Sequence, residues 1–299
     1  MVNRPVWILA HLQLNDLIKI ETMNKISLLI CALAFFTVSR AQQLQKIWST
    51  DTTLKVPESV LFDQKYQRLF VSNIDGKNPW EKDGKGSISM VTLSGKVLNP
   101  NWITGLHAPK GMTKFQDFLI VADVDSVVII DILRGSIVKK IYVEGAQGLN
   151  DITSDKRGNM YVVDSKTKKI HYIDATKLEV KVHLSDLNAP NGILYADKTI
   201  YYLDAGALYK LGKDKERIKL AEGMEGNTDG LIQVDETSFI VSCWAGAVWY
   251  VKTTGEKKLL LDTREQGMNT ADLGYDEEKK VLYVPTFWKN HVTAYQLSL

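Results

Sequence analysis

Six times along this chain an apolar strand opens on a short cassette of Pro, Asn, Asp or Gly, turns, and returns as a second strand that ends near an Asp. The openings are Val56-Pro57-Glu58-Ser59-Val60, Ala108-Pro109-Lys110-Gly111-Met112, Gly148-Leu149-Asn150-Asp151-Ile152, Ala189-Pro190-Asn191-Gly192-Ile193, Asn227-Thr228-Asp229-Gly230-Leu231 and Asn269-Thr270-Ala271-Asp272-Leu273. They recur at roughly 37 to 52 residues, the period of propellers, solenoids and arrays. The second strands, such as Phe118-Leu119-Ile120-Val121-Ala122 and Lys280-Val281-Leu282-Tyr283-Val284, are short and dense in β-branched and aromatic residues. They lack the i, i+3, i+4 apolar spacing of a helical repeat.

Each unit offers a third strand and most a fourth, clearest at residues 135–143 and 256–262. Six four-stranded units predict an all-β chain folded as a six-bladed β-propeller, in which radial repetition leaves only short sheet edges. A β-sandwich is the alternative. The last unit reaches Leu299 after its third strand, so the strand at residues 45–49 is expected to pair onto it and close the ring.

The N-terminus reads as an export signal. Met23-Asn24-Lys25 is a basic start, residues 26–36 are apolar, and Ser39-Arg40-Ala41 places small residues at a cleavage point after Ala41. The apolar run is shorter than the roughly 20 residues of a spanning helix, which predicts removal rather than a membrane anchor. Residues 1–22 precede a complete signal, so translation is expected to start at Met23, with residues 42–299 as one propeller domain, periplasmic or extracellular. A lipoprotein reading at Cys31 fails because Leu29 and Ile30 are not the small residues that such a site needs. Cys243 is then the remaining cysteine, so the fold is expected to depend on its core and to be monomeric without a disulfide. A net charge of +2 with no basic block gives no reason to expect a nucleic-acid partner.

In register, the second variable cassette position carries Glu58, Lys110, Asn150, Asn191, Asp229 and Ala271. Closing the ring brings these side chains to one axis. Glu58, Asn150, Asn191 and Asp229 are hard oxygen donors without His or Cys, a set suited to calcium or magnesium rather than zinc. Two carboxylates about 4 Å apart repel by roughly 4 kcal/mol at an effective dielectric near 20, and a divalent cation reverses that term. The plainer reading, a loop cap at each position, explains a lone Pro-Asn-Gly but not four donors in one register. Calcium is preferred because it accepts irregular protein-oxygen geometry, although another divalent cation would also suit this set.

Propeller topology places a second ring on the same face: Asn73, Asp123, Asp164, Asp204, Cys243 and Thr286. Turn capping is the preferred role for most of these Asp residues. A long Gly-rich, charged loop, residues 74–86, carries Trp80 and is either a lid over the axis or an exposed loop. Trp244, Phe287 and Trp288 are candidate walls.

The cassettes Pro57-Glu58-Ser59-Val60, Asn150-Asp151-Ile152, Pro190-Asn191-Gly192-Ile193 and Thr228-Asp229-Gly230 resemble the signature positions of the gluconolactonase/regucalcin (senescence-marker-protein) family, and more distantly paraoxonases, over residues from about 45 to 299. The resemblance implies a six-bladed propeller that uses an axial calcium to hydrolyse lactones or related esters. It implies Glu58, Asn191 and Asp229 as metal ligands, with Asn150 a metal or substrate contact. Lys110 stands where paraoxonases carry a catalytic His, which speaks against a His mechanism here. Gly230 replaces a further paraoxonase ligand, and Ser59 replaces an Asp serving their second, structural calcium. None of His11, His107, His171, His183 and His291 occupies a register position.

The implied scheme has the cation polarise a lactone carbonyl while water attacks, Asp229 acts as general base, and Gly230 leaves room for substrate. Lys110 binds substrate, assists the oxyanion, or reduces negative charge at the mouth. Trp80, Trp244 and Trp288 are expected around the substrate. The competing reading is a non-catalytic, NHL-like propeller binding a glycan or protein partner, which needs no convergent oxygen ligands. A strictosidine-synthase-like condensation has no acidic residue in a position that demands it.

Overall fold

The apolar runs between the cassettes become antiparallel sheets because their β-branched and aromatic residues alternate against neighbouring sheets. The computed structural model describes residues 42–299; the expected export signal and the start at Met23 lie outside the described residues. Six four-stranded sheets form a six-bladed β-propeller. The innermost strands are Pro57–Asp63, Pro109–Phe115, Leu149–Ser154, Pro190–Ala196, Thr228–Asp235 and the short Gly274–Asp276. In blades one to five the four strands follow each other outward in chain order.

The sixth sheet runs outward from Gly274–Asp276 through Val281–Pro285 and Val292–Ser298 to Gln43–Ser49, which pairs antiparallel with Val292–Ser298. Trp48 of this N-terminal strand packs at 5.9 Å from Tyr283 and donates its indole N–H to the Leu93 carbonyl of blade one at 2.9 Å. The strand is thus tied to both blades at the seam. Trp48 is half-buried, so losing it costs about 3 kcal/mol, the low end for a large aromatic, and about 1 kcal/mol moves the melting point of a domain this size by roughly 2–4 °C. Deleting residues 42–50 is therefore expected to lower the melting temperature by on the order of 10 °C. An unaltered melting curve would show that this strand does not close the ring.

The core lies between blades. Phe70 and Ile88 of blade one meet Leu119 and Val121 of blade two, and Tyr201 and Leu203 of blade four meet Leu231 and Phe239 of blade five. Side chains add ties between adjacent inner strands: Asp151 accepts the Ile193 N–H at 2.7 Å, and Ser59 Oγ donates to Asp272 at 2.5 Å. The latter sits beside a parallel bridge between Ser59 and Asp272, joining blades one and six.

Each of the first five inner strands slips out of register with its neighbour at the cassette. The breaks fall between Pro57 and Ser59, Pro109 and Met112, Leu149 and Ile152, Pro190 and Ile193, and Thr228 and Leu231. Such irregularities free a residue from the ladder and re-aim its side chain. The freed positions include Glu58, Lys110, Asn150, Asn191 and Asp229.

Candidate axial site

Those five side chains line one pocket of about 220 Å³ on the propeller axis, together with Pro79, Trp80, Asn227, Trp244 and Phe287. The sixth register position, Ala271, is buried in an apolar cluster with Ile74, Ala108, Val124 and Phe287 and closes the wall there. A second cavity of about 400 Å³ occupies the other end of the axis, lined by later residues of the same strands, such as Val60, Ile152, Ile193 and Leu231.

The inner strands come close enough at the axis to require glycine. A Cβ on Gly192 would lie 2.2 Å from the Asp229 carbonyl oxygen, and one on Gly230 would lie 2.5 Å from the Leu273 N. Gly230 is therefore pressed against blade six. Its small size serves the packing of adjacent strands, not the approach of a substrate as the sequence suggested.

The donor groups differ in how they are held. Asn150 donates its amide to Ser165 Oγ at 3.1 Å, and Ser165 donates onward to the Pro190 carbonyl at 2.7 Å, which fixes the amide plane. Glu58 Oε2 and Asn191 Oδ1 are buried without any hydrogen-bond partner. A buried oxygen acceptor left unpaired costs about 1–3 kcal/mol, so two in one pocket mark a place built for a donor or a cation. Among the described residues no group of three or more His, Cys, Asp or Glu is placed to hold a metal. Any cation here would draw on the amide oxygens of Asn150 and Asn191 as well as on Glu58 and Asp229. That hard, neutral-plus-anionic set fits calcium.

Electrostatics point the same way. Burial pushes the Glu58 carboxyl up to about 8, with the Lys110 ammonium pulling it down and Asp272 adding to the rise. Asp229 is raised well above the carboxylate range by burial, then by repulsion from Glu58 and Asp272. Two residues that the register argument did not single out belong to the same field. Asp151 is raised well above its usual value by burial and by Asp272, and burial takes Asp272 to about 6. Both line the opposite cavity. Each occupies the cassette position following the register residue, a signal readable by extending the alignment one place. Ser59, at that same position, donates to Asp272 instead of adding a carboxylate.

Lys110 is 2% exposed. Burial lowers its pKa, while Glu58, Asp229 and Asp123 hold its proton on. Its Nζ lies 4.4 Å from the Trp80 ring centroid, so the long loop does reach the pocket and covers it. Trp244 forms another wall, edge-on to Phe287 at 5.4 Å. Phe287 adopts a left-handed backbone at φ 49°, a conformation costly for a bulky residue and concentrated at functional sites.

Trp288 is not brought to the pocket. It is 43% exposed and borders a separate groove with Lys55, Lys77 and Asn290. The reason is the tight turn Phe287–Lys289, which sends adjacent side chains in different directions and gives the wall position to Phe287. The outer ring behaves as turn chemistry predicts: Asp123 accepts from the His107 and Ala108 N–H groups, Asp164 from Gln147, Lys166 and Thr167, and Asp204 from Asn188 and Ala189.

No family model matches this sequence, and no curated protein matches it. Solved structures do resemble it. A streptogramin B lyase superposes with a TM-score of 0.62 at 10% identity, over 86% of this chain and 98% of that one. A protein of unknown function from Bacteroides thetaiotaomicron gives 0.64 at 14% identity, over 86% and 76%. An auxiliary nutrient binding protein from the same organism gives 0.61 at 10% identity, over 82% and 70%. At these identities the likeness establishes the propeller fold. Among the described residues, no helix is long and apolar enough to cross a membrane.

Proposed function

We propose that this protein is an exported, calcium-dependent hydrolase of lactones or related carboxylic esters. The observation that carries this reading is the convergence of two unpartnered buried oxygens, on Glu58 and Asn191, with Asp229 and Asn150 in one pocket beside a buried ammonium. Export rests on the basic, apolar and small-residue pattern of residues 23–41. The four donors would hold the cation, which when bound neutralises the carboxylates and polarises an ester carbonyl placed against it.

The chain's own groups supply the rest. Asp229 faces the pocket and accepts a proton from the attacking water. Lys110 holds a donor hydrogen toward the substrate oxygen on which negative charge develops, and its desolvated position strengthens that contact. Trp80, Trp244 and Phe287 enclose the site on its apolar sides and exclude bulk water. Asn150, locked through Ser165, orients the substrate. The pocket volume suits a small ring rather than a polymer.

Thermal melting in chelator and in added calcium, followed by a panel of aldonolactones and aliphatic lactones, tests this reading. A calcium-dependent rise in melting temperature together with turnover is expected. Indifference to chelator would end the metal assignment. Stabilisation by calcium with no turnover across the panel would favour the non-catalytic binding propeller, which shares this fold with the nutrient binding protein.

A further inference from the structure

The pocket mouth holds a charge arrangement that ester hydrolysis alone does not need. Trp80 carries two ammonium groups against its ring: Lys110 Nζ at 4.4 Å from the centroid and Lys166 Nζ at 5.2 Å. Two lysines of the loop that carries Trp80 are neutralised, Lys82 by Asp125 and Lys85 by Asp83. Among the described residues, Lys110 and Lys166 have no carboxylate partner within salt-bridge distance. Lys110 does so while 2% exposed, as an unpaired buried cation lining the pocket.

The positions of these groups are built rather than incidental. A Cβ on Gly148 would meet Lys166 Cγ at 2.7 Å and the Trp80 ring at 3.0 Å, so this glycine makes the seat on which both side chains lie. Lys166 is further held by its backbone N–H, which donates to Asp164 at 3.0 Å. The field of Lys166 also raises the cost of the charge on Lys110. Cation–π contact offsets part of that cost. A ligand anion would offset more, because hydrogen bonds to charged groups are worth about 1.5–3 kcal/mol. With a divalent cation balancing Glu58 and Asp229, Asp123 alone of the three carboxylates acting on Lys110 remains against the two ammonium groups.

We propose that Lys166 and Lys110, bridged by the Trp80 ring, form an anion subsite, so that the ligand of the axial pocket carries a carboxylate in addition to the group placed at Glu58 and Asp229. On the hydrolase reading, on which the turnover part of this inference rests, the substrate class is a carboxylated lactone whose product is a dicarboxylate. Lys166 is then a specificity-determining residue at the rim.

The test is calorimetric titration of the calcium-loaded protein with D-glucarate and with the neutral polyol D-glucitol. Glucarate is expected to bind at least about tenfold more tightly than glucitol, and Lys166→Met to remove about tenfold of glucarate affinity. Lys166→Arg should restore most of it, which a purely structural role would not require. Because Lys166 is exposed, the Met variant should melt with the wild type. Wild-type glucarate affinity in K166M, or equal binding of glucitol, would overturn the proposal.

A turnover arm compares glucarolactone with a neutral aldonolactone. Selective glucarate binding that K166M removes, with no lactone hydrolysed, keeps the anion subsite and discards the hydrolase reading. Turnover of neutral lactones with no preference for the carboxylated one in wild type or K166M does the reverse.

Discussion

Asp229→Asn is expected to abolish lactone turnover, by about a thousandfold or more, while leaving the chelated protein at least as stable as the wild type. Loss of a positioned general base typically costs 10²–10⁴ in rate, and the same change removes one of the two carboxylates available to a cation. The stability half of the expectation has the opposite sign for a physical reason. Asp229 is 3% exposed and its carboxyl is held far above its usual pKa by burial and by Glu58 and Asp272, so the fold disfavours its charge. Asn keeps the shape and has no charge to lose. Steady-state kinetics and melting curves with and without calcium read both effects. Wild-type turnover, or a calcium-induced rise in melting temperature of wild-type size, would remove Asp229 from the site.

The second large effect is on stability against pH in the absence of divalent cations. Glu58 moves from 4.5 to about 8 on folding, and Asp272 from 3.8 to about 6. Between each pair of values the folded state holds more protons than the unfolded one, so stability falls as pH rises. The contribution is complete below the unfolded values and is lost as pH climbs through about 6 and then about 8. Each unit of displacement is worth about 1.4 kcal/mol, so with about three units from Glu58 and about one from Asp272 the chelated protein should lose on the order of 5 kcal/mol, or roughly 10–20 °C, between pH 5 and 8. Lys110 acts with the other sign, because burial lowers its pKa and the folded state releases that proton first. Added calcium should flatten the decline by replacing protons at the carboxylates. Glu58→Gln should remove most of it. A melting temperature in chelator that holds steady or rises from pH 5 to 8 would show that Glu58 is not protonated in the way described.

Several features of the site were readable from residue order. The cassette register selected Glu58, Lys110, Asn150, Asn191 and Asp229, and all five line one pocket. This worked because a propeller converts repeat register into radial position: residues at the same place in each unit reach the same height on the axis. Trp80 was legible as one of two alternatives, and its place over Lys110 decides for the lid position. Trp288 was misassigned to the pocket because an aromatic pair in a tight turn carries no sign of which ring points inward. Gly230 was read as space for a ligand, although the space is taken by Leu273 of the next blade. Asp151 and Asp272 were passed over because the alignment stopped at one variable position.

The repeat period, strand composition and cassette register are local properties, and they determined the all-β architecture, the number of blades and the identity of the axial residues. Whether an oxygen is orphaned, a carboxyl protonated or a lysine unpaired depends on what neighbouring blades bring within a few ångströms. Those distances exist only once residues more than two hundred positions apart, such as Ser59 and Asp272, are packed together. Desolvation and charge proximity are properties of that packing, which is why the burial and charge of the pocket groups, and with them the anion subsite proposed at its mouth, could be read only from the tertiary structure.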